Sequence, residues 1–88
     1  MKQVLTVRNE KGLHARASAR FVETVEAFDA DATVTRDGMS VPGDSIMGLL
    51  MLTAANGCEI EVETTGTEAT ELAGALRELV EGRFGEGK

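Results

Sequence analysis

His14 is the only histidine of an 88-residue chain, and it stands where a polar loop gives way to a helical pattern. The loop reads RNEKGL over residues 8–13, and apolar and small residues take up helical spacing from Ala15 onward. The first backbone N–H groups of a helix have no partner in the preceding turn, and the helix dipole is positive there. Such an end receives an anion readily. His14 presents an imidazole nitrogen beside those donors, with the amides of Ala15 and Ala17 in the same turn. Arg16 adds a forked guanidinium that matches phosphate geometry. Arg20 follows one turn later on the same face and extends the positive field. Gly12 lets the loop approach the helix start with no side chain in the way. Imidazole titrates near pH ~6.5, so a neutral nucleophilic nitrogen exists near neutrality. That nitrogen can take a phosphoryl group covalently and release it. A lone histidine at a helix start is ordinarily a surface residue. The grouping of Gly12, His14 and Arg16 within a basic stretch is what raises this one above that background.

The charge distribution supports the same place. The chain carries a net −6, which disfavours nucleic acid or an anionic membrane as a partner. Within residues 1–20, however, Lys2, Arg8, Lys11, Arg16 and Arg20 face Glu10 alone, a net of +4. The other four basic residues face fourteen acidic ones, a net of −10. A local basic patch on an acidic protein suits a small anion or an acidic partner surface. Three Phe and no Trp or Tyr leave no aromatic platform for single-stranded nucleic acid.

Other chemistries find little material. One His and one Cys fall short of the usual metal-ligand sets, and no cofactor is expected. Cys58 has no partner for an internal disulfide and reads as a small core residue. The N-terminal MKQVLTVRNE lacks the apolar run of a signal peptide, and no stretch reaches the ~18 apolar residues of a membrane span. The cytoplasm is the expected compartment. The size leaves little room for a deep pocket, so a stand-alone enzyme is disfavoured. A phosphoryl-transfer protein that serves other enzymes as a cosubstrate fits better.

The elements that must position His14 follow from periodicity. Residues 2–7 read as a strand, and Phe21, Val22, Val25 and Phe28 mark a first helix that Asp29 and Asp31 bound. A β-branched strand at 32–36, the turn signal Asp37-Gly38 and a return strand over 39–41 form a hairpin closed by Pro42-Gly43. Ser45 is an N-cap for a short apolar helix that Asn56-Gly57 would end. Residues 58–64 alternate, with Cys58, Ile60 and Val62 on one face and three glutamates on the other. Gly66 breaks that strand and Thr67 caps a last helix carrying Leu72, Leu76 and Val80, which Gly82 ends before the tail RFGEGK. The order βαββαβα in one domain over 1–88 implies an α+β sandwich with helices on one face of the sheet. Several four-stranded topologies satisfy it.

Two segments resemble a known family. GLHARASARFV resembles the active-site segment of HPr, the histidine-containing phosphocarrier of the bacterial phosphoenolpyruvate-dependent phosphotransferase system. DSIMGLLMLTA resembles that family's second signature, around its regulatory serine. The resemblance covers the whole chain and implies an open-faced sandwich, four antiparallel strands under three helices. It implies that His14 is phosphorylated on Nδ1 by enzyme I and passes the group to an enzyme IIA, with Arg16 as the active-site arginine. It implies a monomer, with sugar uptake or nitrogen and carbon regulation downstream. Ser45 corresponds to the serine that an HPr serine kinase/phosphorylase modifies in some bacteria; the plain reading is an N-cap. Ala17 stands where the common pattern has proline, a form similar to the nitrogen-regulatory branch. Asp44 precedes Ser45, and a second negative group there meets repulsion.

The apolar residues of 46–52 cannot all face inward. Leu49 and Leu52 can enter the core, which leaves Ile46, Met47 and Leu50 as an exposed docking patch or as part of a well-buried helix. The resemblance favours the patch. Two further readings stand beside the carrier. One is a regulatory module of the same fold whose output is phosphorylation-dependent partner binding. The other is an unrelated ferredoxin-like α+β domain.

Overall fold

Alternating burial builds the sheet. The computed structural model describes all residues from Met1 to Lys88. Its strands are β1 (Lys2–Thr6), β2 (Asp31–Arg36), β3 (Met39–Pro42) and β4 (Glu59–Thr65), in the order β1-β4-β2-β3, every pair antiparallel. The register sets Leu5 against Ile60, Val62 against Val34 and Val34 against Val41, so the apolar side chains line one face. The opposite face carries Val4, Glu59 and Glu63 into water. Three helices cover the apolar face: α1 (Ala15–Glu26), α2 (Ile46–Met51) and α3 (Ala69–Glu81). Helix α1 buries Ala17, Ser18, Phe21, Val22 and Val25; α3 buries Leu72, Ala73, Leu76 and Val80. This is the open-faced α+β sandwich that the element order and the family resemblance imply.

The hairpin β2–β3 turns on Asp37 and Gly38 with φ of 49° and 79°. Left-handed values at both central residues are the tight hairpin geometry that follows the twist of the strands. Pro42, which has no N–H to donate, is tolerated because β3 lies at the sheet edge.

Four local expectations are corrected. Helix α2 ends at Met51 rather than near Asn56-Gly57, because Thr53 turns left-handed (φ 49°) and Ala54 drops into the core. Cys58 lies just before β4 and is half-buried, touching the core rather than belonging to it. The cap of α3 is Glu68, not Thr67, and it offers its own helix no side-chain bond; its carboxylate instead accepts the Asp29 N–H at 2.7 Å. The C-terminal segment is not a loose tail. After Gly82 a tight left-handed turn, Arg83–Gly85, puts Phe84 fully into the core.

Candidate functional site

Helix α1 begins at His14, which is its N-cap in extended geometry (φ −74°, ψ −180°). The cap is made by the imidazole itself, because Nδ1 accepts the Arg16 N–H at 3.3 Å. The backbone carbonyl of His14 accepts the first helical bond, from Ser18 N–H at 2.9 Å. Ser18 is buried, and its hydroxyl ties back to the Leu13 carbonyl at 3.2 Å. The amides of Ala15 and Ala17 have no partner in the chain. Nδ1 therefore sits among the unpartnered donors of a helix start, the setting that stabilises a phosphoryl group.

The loop before His14 is fixed from below. Gly12 is buried and left-handed (φ 65°), and a Cβ there would stand 2.4 Å from the Ala54 carbonyl oxygen and 2.8 Å from Ala55 Cα. From sequence, the close approach of Gly12 is expected at the helix start. The surface actually approached is the segment after α2. The same Ala54 carbonyl accepts the Leu13 N–H at 2.9 Å, so the loop after α2 holds the residue next to His14.

On its other edge the imidazole meets the C-terminus of the chain. His14 Nε2 lies 2.5 Å from Glu86 Oε2. The second oxygen of Glu86 accepts Asn9 Nδ2 at 3.0 Å, and Asn9 Nδ2 also donates to the Gly12 carbonyl at 2.8 Å. The bond from Asn9, with help from His14 and Arg20, holds the Glu86 carboxyl below its ordinary value despite partial desolvation. Neither Asn9 nor Glu86 emerges from the sequence reading. The available signals were a polar residue two positions after the buried Val7, and an acidic residue in a glycine-rich tail.

Arg16 is exposed and its guanidinium makes no hydrogen bond or ion pair in the chain, so it is free to meet an incoming anion. It joins His14, Lys11, Glu86 and Lys88 around a shallow depression. Arg20, expected to support a phosphate, instead donates to the Phe84 carbonyl. Its charge reaches the site through Glu86 and the turn it anchors. Ser45 caps α2, accepting the Gly48 N–H at 3.0 Å. Ile46 and Met47 are exposed, Met47 to 69%, while Leu50 is half-buried. The exposed apolar surface of α2 is thus Ile46, Met47 and Met51, with half-buried Leu50.

No group of three or more His, Cys, Asp or Glu side chains is placed to hold a metal ion. No helix is long and apolar enough to cross a membrane.

Comparison with known proteins adds what geometry cannot. The family model described as "PTS HPr component phosphorylation site" matches residues 1–82. The chain is similar to the phosphocarrier protein HPr of Neisseria meningitidis serogroup A, at 47% identity over 88 residues, covering 100% of this chain and 99% of that one. It is similar to the phosphocarrier protein NPr of Escherichia coli K12, at 36% identity, covering 98% and 97%. Among solved structures, HPr-C-His from Thermoanaerobacter tengcongensis superposes with a TM-score of 0.95 at 33% identity, covering 100% of this chain and 99% of that one. With fold, length and the His14 segment all in agreement, the chain belongs to the HPr family of phosphocarriers of the phosphotransferase system.

Proposed function

We propose that His14 is the phosphorylated residue and Nδ1 the nitrogen that carries the group, received from phospho-enzyme I and handed to an enzyme IIA. The observation that carries this reading is the position of Nδ1 at the start of α1, where it caps the helix through one long bond to the Arg16 amide. A bond of 3.3 Å is easily given up. When a phosphoryl group arrives at Nδ1, the Arg16 amide turns from the ring nitrogen to a phosphoryl oxygen. The Ala17 amide and the Arg16 guanidinium complete the set of donors. Phosphoryl transfer needs little from the protein beyond such placement and charge neutralisation.

The two partners dock in turn over the His14 segment and the neighbouring apolar surface of Ile46 and Met47, Leu50 forming its edge. The chain acts as one HPr-like domain over 1–88, as a monomer in the cytoplasm. Ser45 is a cap first. Because it is half-exposed, an HPr serine kinase/phosphorylase could reach it, and its phosphate would stand beside the exposed Asp44. The HARA form of the active segment and the likeness to an NPr favour regulatory acceptors beside sugar transport.

The test is intact mass after incubation with enzyme I, Mg²⁺ and phosphoenolpyruvate. Wild type gains one acid-labile phosphoryl group and His14→Ala gains none. Phosphorylation of His14→Ala would remove the assignment.

A further inference from the structure

The phosphocarrier reading uses one edge of the imidazole, and the other edge is occupied by a residue seventy-two positions away in the chain. Glu86 reaches His14 only because of an unusual backbone path. Arg83, Phe84 and Gly85 take φ of 58°, 54° and 76°, three left-handed residues in succession, two of them not glycine. A non-glycine residue in that region is disfavoured by roughly 1–2 kcal/mol, so the turn persists only where the surroundings fix it. Three contacts do so. Phe84 is wholly buried in the core. The Arg20 guanidinium binds the Phe84 carbonyl. Beyond Glu86, the Lys88 carbonyl accepts the Glu10 N–H at 3.0 Å. Asn9, fully buried, then fastens the carboxylate itself. Strain maintained in this way commonly marks a working part of a protein.

We propose that Glu86 is a positioning residue for phosphoryl transfer, holding the His14 ring by Nε2–H so that Nδ1 is the nitrogen whose lone pair attacks. The inference rests on the assignment of His14 as the carrier. The hydrogen-bond pattern sets the tautomer. Nδ1 accepts a backbone N–H and so bears a lone pair, which leaves the proton of the neutral ring on Nε2, where it is donated to Glu86. The arrangement holds the ring by both nitrogens, as a carboxylate behind a catalytic imidazole does.

The transfer step balances without loss of a proton. The Nδ1 lone pair forms a bond to the phosphorus of a donor protein's phosphoramidate. The donor's P–N bond breaks, and its electron pair returns to the donor imidazole. The His14 proton stays on Nε2. The ring becomes a phosphorylated imidazolium whose positive charge develops 2.5 Å from the Glu86 carboxylate. A negative group already in place there stabilises that charge with no reorganisation. In the reverse sense, a proton kept on Nε2 keeps the imidazole a good leaving group when the acceptor takes the phosphoryl.

The deciding experiment compares full-length wild type with Glu86→Gln, a near-isosteric change that removes the charge. Single-turnover phosphorylation by phospho-enzyme I gives the maximal rate and the half-saturating concentration. Expected is a drop of about tenfold in the maximal rate, the worth of a charge-assisted bond over a neutral one, with half-saturation unchanged because docking is untouched. Because His14 is the only histidine, ¹⁵N–¹H spectra of the unphosphorylated protein at neutral pH report its ring alone. Expected is a protonated Nε2 and an unprotonated Nδ1 in wild type, and faster solvent exchange of the Nε2 proton in Glu86→Gln. A maximal rate in Glu86→Gln equal to wild type, or a wild-type proton on Nδ1, would overturn the proposal. A wild type that accepts no phosphoryl group from a competent donor would overturn the carrier assignment instead, and the spectra then decide the role of Glu86 on the ring.

Discussion

Gly12→Ala should separate steric support of the His14 loop from ordinary glycine flexibility. The substitution meets two costs. The left-handed backbone (φ 65°) disfavours alanine by about 1–2 kcal/mol. The new Cβ would lie 2.4 Å from the Ala54 oxygen and 2.8 Å from Ala55 Cα, both backbone atoms, so no side chain can swing away. Forcing such an overlap apart costs about 1–3 kcal/mol. Alanine stiffens the unfolded chain and recovers about 0.4–1 kcal/mol, which leaves a net loss of about 1.5–4 kcal/mol. For a domain of this size that is a fall of roughly 6–30 °C in Tm. Gly57→Ala is the control, since Gly57 is also left-handed (φ 90°) but has nothing within 4 Å of its Cβ position. Urea unfolding followed by far-ultraviolet circular dichroism suits a chain with no Trp or Tyr. Gly12→Ala should lose about 1–3 kcal/mol more than Gly57→Ala. It should also slow phosphorylation of His14 under conditions where it is still folded, because separating the overlap strains the bond from Leu13 N–H to Ala54. Equal losses in the two variants would refute the claim that the segment after α2 braces the active loop.

Three other outcomes follow from the same geometry. Phe84→Ala should destabilise by about 3–5 kcal/mol in urea unfolding and also slow phosphoryl transfer, because the buried ring is what seats the Glu86 turn. Glu86, its carboxyl held low by Asn9, His14 and Arg20, should contribute stability that is fully present above its ordinary value of about 4.5 and lost as pH falls through its lower folded value; in urea titrations from pH 7 to 2.5 the Glu86→Gln variant should lack that acid-side decline. Met47→Glu should change stability by no more than about 0.5 kcal/mol, since the side chain is 69% exposed, while raising the half-saturating concentration for partner proteins in transfer assays.

How much of this is legible in the sequence depends on the range of the interaction. The hairpin at Asp37-Gly38, the alternation of β4 and the stripe Leu72, Leu76 and Val80 are local patterns, and each forms its expected element. His14, Arg16 and the Ser45 cap are also local, since a helix start is written in a handful of adjacent residues. What escapes is what depends on distant partners. Gly12 is required by Ala54, Arg20 is recruited by Phe84, and Glu86 finds His14, with separations of 42, 64 and 72 residues. No periodicity contains those pairings. The extent of α2 failed for a related reason: the apolar run continues through Leu52, and only the burial of Ala54 shows that the chain must leave the helix to carry it inward.

The placement of Glu86 also resolves an apparent conflict in the site's charge. A basic patch around a helix start favours an anion, and a carboxylate beside it would be expected to weaken that preference. The two negative groups, however, address different atoms. Glu86 takes Nε2 and the Arg16 amide takes Nδ1, so on the proposed reading the ring stands between carboxylate and phosphoryl. On that reading the carboxylate across the ring stabilises the positive charge of the phosphorylated imidazolium, while its repulsion of the phosphoryl oxygens limits how tightly the group is held. A carrier needs that compromise, because stabilising its phosphorylated state without limit would strand the group on His14. The strained turn at Arg83–Gly85 is accordingly the means by which a small domain, whose site is only a shallow depression, brings a buried-anchored carboxylate to a surface histidine.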